Sequence, residues 1–78
     1  MIGDRIKYER KLRGQTQEQV ARSAGVSVHT VSSLEMRNYD ARLLTAAKIA
    51  SSFGISLDSL VQPVTQEEWD ALKRDKAA

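Results

Sequence analysis

Residues 17–34, QEQVARSAGVSVHTVSSL, limit the fold of this 78-residue chain more than any other stretch. They read as two short helices joined by a tight turn. Gln17 opens the first of them, with Val20, Ala21 and Ala24 on its inward face. Gly25 sits at the turn, and Val26, Val31 and Leu34 form the inward face of the next helix. Ala21 and Gly25 are the diagnostic pair. Two helices crossing at about 90–120° through a turn of three to four residues need a small side chain at the crossing and a backbone that accepts φ > 0. That crossing turns the outer face of the second helix away from the body, where it can enter a DNA major groove.

The remaining chain extends the helical pattern. The first helix is predicted over Ile2–Leu12, with Ile2, Ile6 and Leu12 inward and Gly14 ending it. Thr16 followed by Gln19 has the spacing of a capping box ahead of a second helix over Gln17–Ser23. Ser27 caps a third helix that continues to about Met36, and Arg37–Asp40 is a polar loop. Leu43, Ala46, Ala47, Ala50 and Phe53 fall at helical spacing in a fourth helix stopped by Gly54. Ser56 caps a short fifth helix whose Leu57, Leu60 and Val61 face the core. Pro63 breaks the chain, and Thr65 with Glu68 begins a sixth helix carrying Trp69 and Leu72 on one face. No segment alternates as a strand would, so the expected class is all-α. Residues 1–62 form the helix-turn-helix domain and 63–78 a helical tail.

Composition removes several function classes. The chain has no cysteine, which excludes disulfides and thiolate metal sites, and its single histidine argues against a histidine-based metal site. The same features, with no Gly-rich phosphate loop and a core too small for a ligand pocket, argue against an enzyme; no cofactor is expected. No apolar run approaches the roughly 20 residues of a membrane span, and no signal peptide opens the chain, so cytoplasmic residence is the expectation. A core of this size often gains stability by oligomerisation. Net charge is +2, with nine Lys/Arg against six Asp/Glu in residues 1–62. Five of the nine lie in the first helix: Arg5, Lys7, Arg10, Lys11 and Arg13. That cluster permits phosphate contacts and equally fits a solvated helix face.

With the helices placed, the chain resembles the phage repressor/Cro-type, or XRE-like, helix-turn-helix family across positions 2–61. The matching residues are the Arg10…Gly14 spacing, Thr16-Gln17-Glu18, Val20-Ala21 and Ala24-Gly25-Val26. Val31, Leu34-Glu35 and the run Leu43…Ala46…Ile49-Ala50…Phe53 complete the match. It departs from the family at Gln15, commonly apolar, and at Arg37 and Ala41, where a Gly and a Pro are common. The tail has no fixed family counterpart. The resemblance implies a cytosolic transcription factor, bacterial or phage-encoded, that binds double-stranded DNA through the third helix, about Ser27–Met36.

By that resemblance Ser27, Val28, His29, Thr30, Ser32 and Ser33 form the presented face, and Val28, His29 and Ser33 read base edges. Val28 can only pack on a thymine methyl, whereas His29 can donate to guanine and Ser33 can serve several bases. None supplies a bidentate fork, so part of the specificity would come from DNA shape. Gln17, Ser27, Thr30, Arg37, Asn38 and Arg42 are the implied phosphate and backbone contacts. Arg10 and Glu35 are implied to form a partly buried structural ion pair, of a kind in which removing one partner costs about 3–5 kcal/mol.

Two arrangements of the tail compete. Either the sixth helix folds back and Trp69 fills a gap in its own core, or Leu57, Leu60, Val61, Trp69 and Leu72 bury against a second copy. The second is preferred, because one reading head with weak base contacts binds poorly. A homodimer would set two third helices on half-sites about 34–36 Å apart. The leading expectation is therefore a dimeric repressor acting on a palindromic operator. The alternative is an antitoxin-type or other interaction protein whose tail binds a partner protein.

Overall fold

The computed structural model describes residues 2–37 and 42–77. Six helices account for the ordered elements among them: α1 (Ile2–Leu12), α2 (Gln17–Ala24), α3 (Val28–Arg37), α4 (Leu43–Phe53), α5 (Leu57–Leu60) and α6 (Gln66–Ala77). None is long and apolar enough to cross a membrane. The all-α expectation holds, and the predicted boundaries of α2 and α3 each move by one residue at the C-terminal end.

Three of the joints use one local device. At Gly14, Gly25 and Gly54 the backbone turns left-handed, with φ of 64°, 71° and 72°. At Gly25 the glycine amide bonds the Arg22 carbonyl at 3.3 Å and the Val26 amide bonds the Ala21 carbonyl at 3.0 Å, the paired bonds of a Schellman cap. A Cβ at Gly25 would meet nothing within 4 Å, so the requirement is for backbone conformation and not for space. The residue after each glycine is followed at once by the N-cap of the next helix: Thr16, Ser27 and Ser56. Gly14-Gln15-Thr16, Gly25-Val26-Ser27 and Gly54-Ile55-Ser56 are thus three copies of one hinge. In the latter two the middle residue is apolar and packs against the core. Gln15 is the exception. Its carbonyl accepts from Arg10 Nη1 at 3.0 Å, but its side-chain Oε1 is buried without a hydrogen-bond partner among the described residues.

The core gathers Ile6 of α1, Val20 and Ala21 of α2, Val31 and Leu34 of α3, Ala46, Ile49, Ala50 and Phe53 of α4, and Leu60 of α5. Three apolar residues expected inward are not. Leu12 is 49% exposed in the last turn of α1, Leu43 is 72% exposed in the first turn of α4, and Val61 is 53% exposed just past α5. Each lies at a helix end, where the helical stripe has run beyond the neighbour it packs on. Ala47 is only half-buried.

Two arginines, Arg5 of α1 and Arg13 just past its end, tie the helices together. Arg5 is buried and uses all five N–H donors. Nε donates to the Gln62 carbonyl at 3.0 Å, and Nη2 donates to the Pro63 carbonyl at 2.8 Å and to Glu68 Oε1 at 3.0 Å. Nη1 donates to Glu68 Oε2 at 2.9 Å and Glu9 Oε2 at 3.3 Å. Arg13 Nη1 donates to Glu9 Oε1 at 2.7 Å, while Nη2 reaches the Phe53 carbonyl at 2.8 Å at the C-terminal end of α4, where a cation opposes the helix dipole. These two arginines, counted in the sequence among the charges that could meet phosphate, are bonded to the protein's own carboxylates and carbonyls. The tail is the beneficiary. Leu72 is buried, and Trp69 meets Tyr8 of α1 edge to face with ring centroids 5.5 Å apart.

Glu68 has two roles at once. It closes the capping box of α6, with Oε1 accepting from the Thr65 amide at 3.0 Å while Glu68's own amide donates to Thr65 Oγ1 at 3.1 Å, and it clamps Arg5. The Arg5 hydrogen bonds, then that of the Thr65 amide, hold its carboxyl down from the usual 4.5 to about 2. A depressed carboxyl pKa stabilises the fold fully above the unfolded value and progressively less as pH falls through the folded one. The melting temperature is therefore expected to drop between about pH 4.5 and pH 2, and Glu68→Gln should drop less steeply over that window. Parallel acid profiles in thermal melts of the two proteins would contradict the assignment. Gln15→Val should stabilise the fold by roughly 1 kcal/mol, because a buried acceptor left unpaired costs about 1–3 kcal/mol. Urea unfolding at neutral pH measures this, and a destabilised variant would show that the amide is satisfied after all.

Candidate nucleic-acid interface

The presentation of α3 begins with its cap. Ser27 Oγ accepts from the Thr30 amide at 3.1 Å and shares a 2.9 Å hydrogen bond with Thr30 Oγ1. Two expected backbone-contacting hydroxyls are thus bonded to each other, and their serine-x-x-threonine spacing was the signal for it. Val31 and Leu34 anchor the inner face of the helix in the core. Opposite them, Val28 and His29 are exposed in the first turn. Ser33 lies one turn on from His29 and is half-buried, its Oγ 3.4 Å from His29 Nε2. Of the three residues assigned to base reading, His29 and Ser33 therefore share a face of α3 and are in contact, and Val28 stands at the first position of the helix.

Glu35 fixes that face relative to the rest of the protein. Its carboxylate, 4% exposed, receives a two-pronged pair from Arg10, Nε to Oε2 at 2.8 Å and Nη2 to Oε1 at 2.9 Å. Gln17 Nε2 donates to the same Oε1 at 3.3 Å. One acid of α3 thereby holds α1 and the first residue of α2 together. The link to Gln17 was not read from the sequence, because nothing local signals a bond across 18 positions.

At the start of α2 the capping box engages the amides of Thr16 and Gln19, and the Val20 amide bonds the Thr16 carbonyl. The amides of Gln17 and Glu18 are the remaining first-turn donors of this helix, and they carry the positive end of its dipole. Such an end suits a phosphate oxygen. At the other side, Arg42 is exposed in the N-cap position of α4 and makes no side-chain capping bond. Arg37 is the last residue of α3. Asn38 lies outside the described residues, as does most of the expected Arg37–Asp40 loop.

A shallow groove runs between α1 and α3, lined by Lys7, Lys11, Gln17, Ser32 and Met36 with the Arg10–Glu35 pair among them. It continues past Lys11 and Gln17 toward Val28. The expected interface candidates divide differently. Leu60 and Leu72 are buried within this chain and offer no surface to a second copy, while Leu57 and Trp69 are half-buried and Val61 is exposed.

A family model described as helix-turn-helix matches residues 6–60. An uncharacterized HTH-type transcriptional regulator of Methanocaldococcus jannaschii is 39% identical over 57 residues, which are 73% of this chain and 86% of that protein. No solved structure matches. The matched span starts inside α1 and ends with α5, so it takes in the α2–α3 pair together with the helices that brace it, and α6 lies beyond it. The chain belongs to the XRE-like helix-turn-helix family.

Proposed function

We propose that this chain is a sequence-specific double-stranded-DNA-binding regulator of transcription, a cytoplasmic repressor that acts as a homodimer on a palindromic operator. The observation that carries the reading is the exposed N-terminal face of α3, held at a set angle by the Glu35–Arg10 pair and flanked by the free amides at the start of α2. Val28, His29 and Ser33 would meet base edges in the major groove, with DNA shape adding to the specificity. Gln17, Ser27, Thr30, Arg37, Asn38 and Arg42 would position the backbone. The relative's description as a transcriptional regulator supports the same role.

Residues 1–62 serve as the reading domain and 63–78 as its brace. The alternative reading, a tail free for a partner protein, fits less well. Arg5 and Glu68 hold the tail to α1, and Leu72 is buried there. Of the residues expected at an interface, Val61 and the open edges of Leu57 and Trp69 remain for a second copy.

Selection of bound sequences from a random duplex library tests the function directly. Enrichment of a palindrome with half-sites about one turn, 34–36 Å, apart is the expected result; recovery of unenriched sequence from a folded protein would count against operator recognition. Within the enriched site, His29→Ala should change sequence preference more than overall affinity, and equal weakening on cognate and scrambled duplexes would remove His29 from the reading set. Val61→Glu, at an exposed position, should weaken self-association in sedimentation. A variant that dimerises as tightly as the parent chain would place the interface elsewhere.

A further inference from the structure

The five cations between positions 5 and 13, four in α1 and Arg13 just past its end, have two fates. Arg5, Arg10 and Arg13 each meet a carboxylate: Glu68 and Glu9 for Arg5, Glu35 for Arg10, Glu9 for Arg13. Lys7 and Lys11 form no ion pair or hydrogen bond through their ammonium groups among the described residues. They stand four positions apart, hence on one face of the helix. Both line the groove between α1 and α3, beside Ser32, whose hydroxyl likewise has no partner among the described residues. Glu35 also lines this groove, but its charge is matched by the two-pronged Arg10 pair. Glu18, at the far end beside Lys11, is the exposed acid that faces the groove. What the groove offers along its α1 side is two unmatched ammonium groups and a hydroxyl donor, adjoining the exposed face of α3.

We propose that Lys7 and Lys11 form a phosphate-binding ridge on α1 that grips the DNA strand running alongside α3, with Ser32 donating to the same strand. This rests on the DNA-binding reading and extends it to a helix outside the α2–α3 pair. A DNA backbone is the occupant because the groove is shallow, its unmatched charge is positive, and a regularly charged strand laid beside α3 must pass α1. These contacts carry no sequence information and set the register of the helix that does.

The test measures binding of a labelled duplex of random sequence to the full chain over a range of salt concentrations. Each phosphate contact contributes about 0.9 to the slope of log K against log salt, so Lys7→Gln/Lys11→Gln should reduce that slope by about 1.8. Lys48→Gln/Lys73→Gln, which removes two exposed lysines from α4 and α6, should leave it near the parent value. Lys7→Arg/Lys11→Arg should restore it. All three variants alter exposed side chains save that of Lys11, which is half-buried, and thermal melts establish that each is folded. An unchanged slope in Lys7→Gln/Lys11→Gln would overturn the ridge while leaving DNA binding intact. An equal reduction in both lysine-to-glutamine pairs would overturn it too, as a general charge effect. Failure of the unaltered chain to bind the duplex at any salt concentration would overturn the DNA reading itself, and the ridge with it.

Discussion

The two-pronged pair between Glu35 and Arg10 is the contact on which the arrangement of this protein turns. An acid with 4% exposure is tolerable in a small helical domain only if its charge and lone pairs are matched. Here one arginine and one glutamine supply the donors, and each comes from a different helix. Satisfying Glu35 therefore requires α1, α2 and α3 to meet at one point. The angle at which α3 presents Val28 and His29 is a by-product of that requirement. Apolar burial of Val31 and Leu34 would hold α3 down without fixing its rotation so narrowly, because apolar contact has little directional preference.

The parts of the fold that were legible in the sequence are the local ones. Gly25 and Gly54 announce left-handed helix ends, and Thr16, Ser27, Ser56 and Thr65 announce starts, because a cap is completed within three or four residues. The inward stripes of α2, α3 and most of α4 follow from period alone. A repeated glycine–apolar–hydroxyl hinge was present in the letters as well, and it shows why Gln15 is an anomaly. Valine and isoleucine fill the middle place in the other two hinges and pack against the core, whereas Gln15 buries an unpaired amide oxygen.

What was not legible depends on distance along the chain or on where a neighbour ends. Arg5 and Glu68 stand 63 positions apart, and no propensity or period connects them. Arg13 was indistinguishable from a surface cation until the end of α4 was brought beneath it. Leu12, Leu43 and Val61 obeyed the helical period and yet lie exposed, since period sets the direction of a side chain and not whether anything lies in that direction. The same limit applies to the interface. His29 and Ser33 can be placed on one helix face from spacing, but the groove beside them is made by α1, which is distant in sequence from Ser32 and Met36.

On α1, Arg5 and Arg10 are bonded to the protein's own carboxylates while Lys7 and Lys11 are not, which makes two residues of equal formal charge non-interchangeable. A guanidinium is weakly hydrated and projects five donors from a rigid plane, whereas an ammonium holds its water tightly and has three. At position 5 all five donors are engaged, so a lysine there would strand acceptors and have to shed its hydration shell to enter. Exchanging the two residue types along α1 would leave net charge untouched and would still dissolve the bracing of α3, α4 and α6. For this helix, dehydration cost, more than charge, decides which cation belongs at which position.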